Sequence, residues 1–300
     1  KSVTEEDKGL IPESTMYVNL EPCAHYGITP PCANRLVAER VKKVVIANTD
    51  PFAQVSGKGI QILQEAGIQV EHGIMAQEGL WMNRRFFCAH QQQRPYIILK
   101  WAQTTNGYIA PADKSRCQIS NEESRLLVHK WRTEEGAIMV GATTAMNDNP
   151  ELTARLWQGK HPLRIVLDRE LKLPHTHHVF DKEAATWVIN EEKEQLEGNV
   201  HFVHLKFDDQ LLVRVLQRLQ GAKILSLIVE GGAKLLEGFI SAGLWDEARI
   251  FTGSTALSDG VPAPLIKGGK RAFETALGDN RLELYINEKS AYPYVEGMGM

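Results

Sequence analysis

Cys23 and Cys32, each directly after a proline and with eight residues between them, are the residues of this chain whose type and spacing best suit a metal. Zinc takes tetrahedral nitrogen or sulfur donors, and a catalytic zinc keeps one position for water. Cys32 opens a stretch that reads as a helix, where the macrodipole favours the thiolate. Two sulfurs are two-thirds of a three-ligand catalytic site. Zinc-dependent deamination also needs a third ligand and a proton-shuttling glutamate, normally from an upstream His-x-Glu. No His-x-Glu precedes Cys23, and the chain begins at Lys1 without a methionine. The sequence therefore reads as cut just inside its own site, with no catalytic residue for deamination in the chain. As a pair alone, Cys23 and Cys32 are better explained as ordinary buried thiols, and it is the residues around them that favour a metal. His25 reads as facing substrate or solvent rather than a metal.

A second constellation lies far downstream. The apolar run 224–229 leads into Glu230-Gly231-Gly232-Ala233-Lys234 and then a helical pattern. Adjacent glycines let a phosphate approach the backbone, and free N–H groups at a helix start attract its charge. The spacing is not G-x-G-x-x-G, so the dinucleotide fingerprint is absent. A tight strand-to-helix turn explains the glycines about as well as a ligand does. Glu230 is harder to assign to a turn alone, because strand ends in open α/β sheets line ligand crevices. Arg155 suits a phosphate ester, to which a guanidinium offers a fixed fork of donors, although a surface arginine is the plainer reading. Asp148-Asn149-Pro150 is a turn signal, and Thr144 suits a helix N-cap. His175-Thr176-His177-His178 has metal-binding residue types, but after Leu173-Pro174 it reads as an exposed connection.

A scaffold must position these residues, and composition bounds its kind. Three hundred residues, 43% hydrophobic and 24% charged, are enough for two domains with a core each. A formal net charge of -3 gives no basic field for nucleic acid. No apolar run reaches the ~18 residues of a membrane span. Four cysteines at this length suit a reducing compartment, so the expected location is the cytoplasm. Strands are expected at 14–20, 44–47 and from 68–70, with helices over 32–40 and 58–66. A helical stretch over 79–90 precedes the polar linker 91–95. Beyond it, strands are expected at 96–102, 137–141, 163–168, 186–190, 201–205, 224–229 and 247–253. Helices are expected over 122–132, 209–219 and 231–242. This alternation predicts α/β layers with parallel pairs. Two domains follow, 1–93 and 94–300.

Val18-Asn19-Leu20-Glu21-Pro22-Cys23, His25, Gly27 and Thr29-Pro30-Pro31-Cys32 resemble the cytidine-deaminase-like domain of the bifunctional deaminase-reductase family of riboflavin biosynthesis. Asp50-Pro51, Ser56-Gly57-Lys58-Gly59 and Ala66-Gly67-Ile68 continue the resemblance. The stretches 99–107, 138–144, 147–155, 162–168 and 229–232 resemble the family's dihydrofolate-reductase-like half. Together the halves cover nearly the whole chain in the family's order.

The resemblance implies an incomplete α/β/α zinc domain, with Cys23 and Cys32 as metal ligands, followed by an NADPH-dependent α/β reductase domain. It implies phosphoribosylaminopyrimidine substrates, no nucleic-acid or membrane partner, and by analogy a homodimer. Cofactor contacts are implied at Ala102, Gln118, Thr144, Asp148 and Arg169, and along the turn Gly232, Ala233, Lys234, Leu235, Leu236, Glu237 and Gly238. Substrate contacts are implied at Lys100, Arg116, Leu152, Arg155 and Glu230. Many relatives have Ser-x-Trp where this chain has Arg116-Cys117-Gln118, which departs from the pattern. The implied reactions are hydrolytic deamination of the diaminopyrimidinone ribosyl phosphate, not expected of this chain, and reduction of the ribosyl side chain to ribityl. The alternative is a reductase whose degenerate deaminase domain serves assembly.

Overall fold

The structure, a computed structural model, describes residues 3–27, 29–52, 55–113, 115 and 117–299. The chain divides into two compact units, Lys1–Gln92 with Tyr292–Met300, and Gln93–Ala291. The sequence reading places everything after residue 93 in the second domain, but Tyr292–Met300 belongs to the first unit. Its attachment is specific. Trp81 Nε1 donates to the Gly299 carbonyl at 3.1 Å, and the Trp81 and Tyr294 rings meet edge to face at 5.2 Å.

In the first unit, three strands run parallel in the order β1 (Thr15–Leu20), β2 (Lys43–Asn48) and β3 (Gln69–His72). The connections carry α1 (Cys32–Ala38) and α2 (Lys58–Glu65). Leu36, Val44, Ile46 and Leu63 form the heart of its core. The helical stretch expected over 79–90 is two helices, α3 (Ala76–Met82) and α4 (Arg84–Gln91), because Asn83 leaves helical geometry at φ −99°, ψ 14°. The Glu21 carboxylate, 3% exposed, accepts the backbone N–H groups of Asp50, Gly57, Gly59 and Ile60 at 3.1, 2.9, 2.8 and 3.2 Å. One buried carboxyl thus satisfies donors that the start of α2 leaves without helical partners, and ties them to the end of the loop after β2.

The second unit is built on one sheet. Its strands are β4 (Tyr96–Gln103), β6 (Ala137–Gly141), β7 (Leu163–Leu167), β8 (Thr186–Asn190), β9 (Gln195–Glu197), β10 (Val200–His204), β11 (Ser226–Glu230), β12 (Glu247–Thr252), β14 (Gly269–Leu277) and β15 (Asn280–Asn287). A separate pair joins β5 (Tyr108–Pro111) to β13 (Gly260–Pro262). Among the described residues the main sheet has the order β14-β15-β12-β4-β11-β6-β7-β8-β10-β9. From β12 to β10 every pairing is parallel, and β15, β14 and β9 add antiparallel edges. Unbroken apolar runs such as Tyr96-Ile97-Ile98-Leu99 and Leu227-Ile228-Val229 suit strands covered on both faces, and all seven residues are at most 1% exposed.

The helices of this unit are α5 (Glu122–Glu134), α6 (Ala142–Asp148), α7 (Leu211–Gly221) and α8 (Ala233–Ser241). β6 continues through α6 to β7 on one side, whereas β11 continues through α8 to β12 beyond β4. Neighbouring parallel strands thus send their connections in opposite directions. Such a point opens a crevice at the strand C-terminal ends. No helix among the described residues is long and apolar enough to cross a membrane.

Candidate functional site

The crevice between β6 and β11 opens into a cavity of about 810 Å³. Glu230 ends β11 and is in register with Lys100 of β4, so the two side chains leave the same face of the sheet. α5, whose N-cap Asn121 accepts the Ser124 N–H at 2.9 Å, brings Arg132 over them. Arg132 Nη2 lies 3.0 Å from Glu230 Oε2, and Lys100 Nζ lies 3.9 Å from the same oxygen. Glu230 Oε1 is buried and has no hydrogen-bond partner. Burial works to raise the Glu230 pKa, but the charges of Arg132 and Lys100 outweigh it and hold the carboxyl below its usual value. Burial lowers the Lys100 pKa against the opposing pull of Glu230. The arrangement is an anion with one oxygen engaged by cations and one open to a donor from a ligand.

Beside this cluster, α6 and α8 begin next to each other. Gly231 has φ +114°, and a Cβ there would stand 2.8 Å from Thr144 Oγ1. Glycine is therefore required twice over, by conformation and by space. Gly232 is the extended N-cap of α8, so the helix begins at Ala233 rather than at residue 231. Thr144 lies inside α6, whose own N-cap is Gly141, and its hydroxyl accepts the Gly232 N–H at 3.0 Å. It therefore braces the neighbouring helix start instead of capping its own. Gly232 offers no side-chain acceptor to the first amides of α8, which leaves that helix end suited to an anion.

The remaining wall is the segment 149–156. Asn149 and Leu152 adopt left-handed backbone, at φ 41° and 56°. Arg155 pairs with Glu151 at 3.0 Å and is half exposed. His129 of α5 lies beneath it, 5% exposed. Burial first, then the nearby Arg132 and Arg155 charges, push its pKa down to about 4 against Glu230 and Glu151.

Most of the sequence-derived residues converge here. The cavity is lined by Lys100, Leu152, Arg155 and Glu230, and by Ala102, Gln118, Thr144 and Asp148. From the turn after β11, Gly232, Ala233, Lys234 and Glu237 face it. Helical periodicity turns the others away. Leu236 is fully buried in the core, Leu235 packs against that core, and a Cβ on Gly238 would meet Leu212 at 3.6 Å. Arg169 does not line the cavity and pairs with Glu191 at 2.6 Å. Arg116 lies outside the described residues. Arg132 and His129 escaped the sequence reading. Their spacing on α5, with Arg125 and Val128 also on the cavity, is the helical signal that could have found them.

In the first unit, Cys23, His25, Cys32 and Asp50 line a cavity of about 770 Å³. The Cys32 N–H donates to Cys23 Sγ at 3.2 Å. Cys32 does open a helix, but its thiol pKa is raised rather than lowered, through hydrogen bonding with Cys23 and then burial. No three His, Cys, Asp or Glu side chains are grouped to hold a metal ion among the described residues. Two sulfurs are too few for the three protein ligands of a catalytic zinc, so the donor set present does not fit that metal. His175 stacks on Phe180 at 5.0 Å instead of joining a cluster.

Comparison with known proteins bears on both units. The RibD C-terminal domain family matches residues 95–288. The riboflavin biosynthesis protein RibD of Aquifex aeolicus is 38% identical over 255 residues, covering 83% of this chain and 71% of that protein. A solved structure of Acinetobacter baumannii RibD superposes with a TM-score of 0.81 at 32% identity, covering 91% of this chain and 80% of the other. The Thermotoga maritima diaminohydroxyphosphoribosylaminopyrimidine deaminase/5-amino-6-(5-phosphoribosylamino)uracil reductase gives a TM-score of 0.83 at 29% identity, covering 91% of this chain and 79% of that one.

Proposed function

The chain belongs to the RibD family of riboflavin biosynthesis proteins, and from that membership we propose that it reduces the ribosyl side chain of 5-amino-6-(5-phosphoribosylamino)uracil to ribityl with NADPH. The observation that carries this reading is the unpartnered Glu230 Oε1, buried beside the Gly231-Gly232 turn in a cavity of about 810 Å³. NADPH, when bound, supplies hydride. Gly232, Ala233 and Lys234 would hold its phosphates at the start of α8, where the helix end favours negative charge. Ala102, Gln118, Thr144, Asp148 and Glu237 would line the rest of its path.

The chain's own groups orient the other partner. Glu230 would accept a hydrogen bond from the substrate through Oε1, held in place by Arg132 on Oε2. Lys100 would donate to the sugar, reacting in its open-chain Schiff-base form. Leu152 and Arg155 would close the substrate end, with the guanidinium facing the phosphate ester. Orientation and exclusion of water suffice for hydride transfer.

Cys23 and Cys32 are read as two zinc ligands of the family's deaminase centre. With no third ligand grouped beside them among the described residues, no deamination step is assigned to this chain. The test is NADPH oxidation by the purified chain with the deaminated ribosyl intermediate, alongside ammonia release from the diamino precursor. Oxidation without ammonia is expected, and a chain that neither binds nor oxidises NADPH would remove the reading.

A further inference from the structure

The wall segment 149–156 holds two non-glycine residues in left-handed backbone, and one of them, Leu152, is 1% exposed. Such conformations persist when the surroundings over-determine them. Here four side chains from outside the segment grip its backbone. Arg164 Nη1 donates to the Glu151 carbonyl at 3.3 Å, and Arg132 Nη1 to the Thr153 carbonyl at 3.0 Å. The Ala154 N–H donates to His161 Nδ1 at 3.1 Å, and the Leu156 N–H to His129 Nδ1 at 3.5 Å. Two imidazoles therefore act as acceptors for one short stretch of amides. An Nδ1 acceptor requires the neutral tautomer with its proton on Nε2.

We propose that His161 is a positioning residue for the reductase site, setting the Leu152–Arg155 wall through the Ala154 amide. Ala154 is 2% exposed, so its N–H has no ready exchange of the imidazole for bulk water. Arg164, Arg132 and His129 are buried or nearly so, and each has further duties in the core or the charge cluster. His161 is the exposed member of the four, so its ring can be changed without opening the core. The segment it fixes carries Arg155 between the two imidazole-bound amides, so a slackened segment would displace the substrate end and leave the helix start at Gly232 untouched. The proposal rests on the reading of Leu152 and Arg155 as substrate contacts.

The experiment compares His161→Phe, which keeps a ring and removes the acceptor, with His161→Asn, whose Oδ1 replaces Nδ1. Kinetics and backbone hydrogen exchange of the segment 150–157 are both measured. Expected for His161→Phe is a rise in the substrate KM of about tenfold, with the NADPH KM unchanged and faster exchange. His161→Asn should bring both back to within about threefold of the parent. An unchanged substrate KM, an equal rise in both KM values, or no recovery in His161→Asn would overturn the proposal. Hydrogen exchange separates the two readings. If the parent protein shows no turnover, the reductase reading fails, and unchanged exchange in His161→Phe then overturns the positioning role itself.

Discussion

Arg132 and Glu230, 98 residues apart in sequence, meet at 3.0 Å on one carboxylate oxygen while the other stays buried without a partner. The pair is asymmetric by construction: one oxygen is held by cations and the other is open. A carboxylate fixed on one side loses little freedom when a ligand donor reaches the other, which is the advantage of preorganisation.

Glu230→Gln removes the negative charge with little change of shape. Its expected effect is a loss of about 2–3 kcal/mol of transition-state binding, roughly a hundredfold in kcat/KM. NADPH affinity should stay within about threefold, as measured by fluorescence titration. Arg132→Met, which leaves the carboxylate buried with Lys100 as its remaining cation, should destabilise the second unit by about 3 kcal/mol. A double-mutant cycle on the melting transition should show that most of this loss disappears when both changes are combined.

Gly231→Ala should lower both stability and NADPH affinity, because φ +114° and a 2.8 Å approach to Thr144 leave no room for the methyl. The backbone strain alone is on the order of 1–3 kcal/mol. Thr144→Val deletes the acceptor of the Gly232 N–H and should cost about 1 kcal/mol with a smaller fall in affinity. Equal NADPH binding by Gly231→Ala and the parent would count against a phosphate cradle at this turn.

His129 gives a pH signature that separates it from the carboxylates. Its folded pKa of about 4 lies below the unfolded value of roughly 6.5, so the unfolded chain takes up a proton first as pH falls. Stability should decline from about pH 6.5 to about pH 4 and level off below. Glu230, with its folded pKa depressed, contributes stability above its unfolded value near 4.3 and loses it at lower pH, outside the upper part of that window. Denaturant midpoints at pH 7 and pH 5 should therefore diverge more for the parent than for His129→Asn. Parallel behaviour of the two proteins would contradict a buried neutral imidazole.

Metal removal should leave the reductase untouched. Two thiols without a third ligand predict zinc well below one equivalent by elemental analysis, and a chelator should not change the rate of NADPH oxidation. Cys23→Ser with Cys32→Ser should behave likewise. One tightly held zinc per chain would show that a ligand outside the described grouping completes the site.

The parallel strands were legible because burial on both faces leaves an unbroken apolar run, as in residues 227–229. Glu230 and the paired glycines were legible because the apolar run stops at Val229, one residue before the strand ends. The hairpin of β14 and β15 was overlooked despite a visible pattern, with Leu282, Leu284 and Ile286 alternating with Arg281 and Glu283 after Gly278-Asp279. Arg132 was hidden for a different reason. It lies on a charged helix, and the fold alone brings it to Glu230. Arg169 marks the opposite case: its place after β7 suggested a ligand contact, whereas Glu191 is the partner it meets. Cys32 shows how a neighbour overrides a helix end, since the thiol beside it pushes its pKa up.

The return of Tyr292–Met300 to the first unit makes the second an insertion, tethered at both its ends. A single protease nick at Gln92–Gln93 would thus leave the polypeptide as two fragments still joined by the Trp81–Gly299 hydrogen bond and the Trp81–Tyr294 ring contact. A second cut, near residue 291, would remove the last covalent link between the two units.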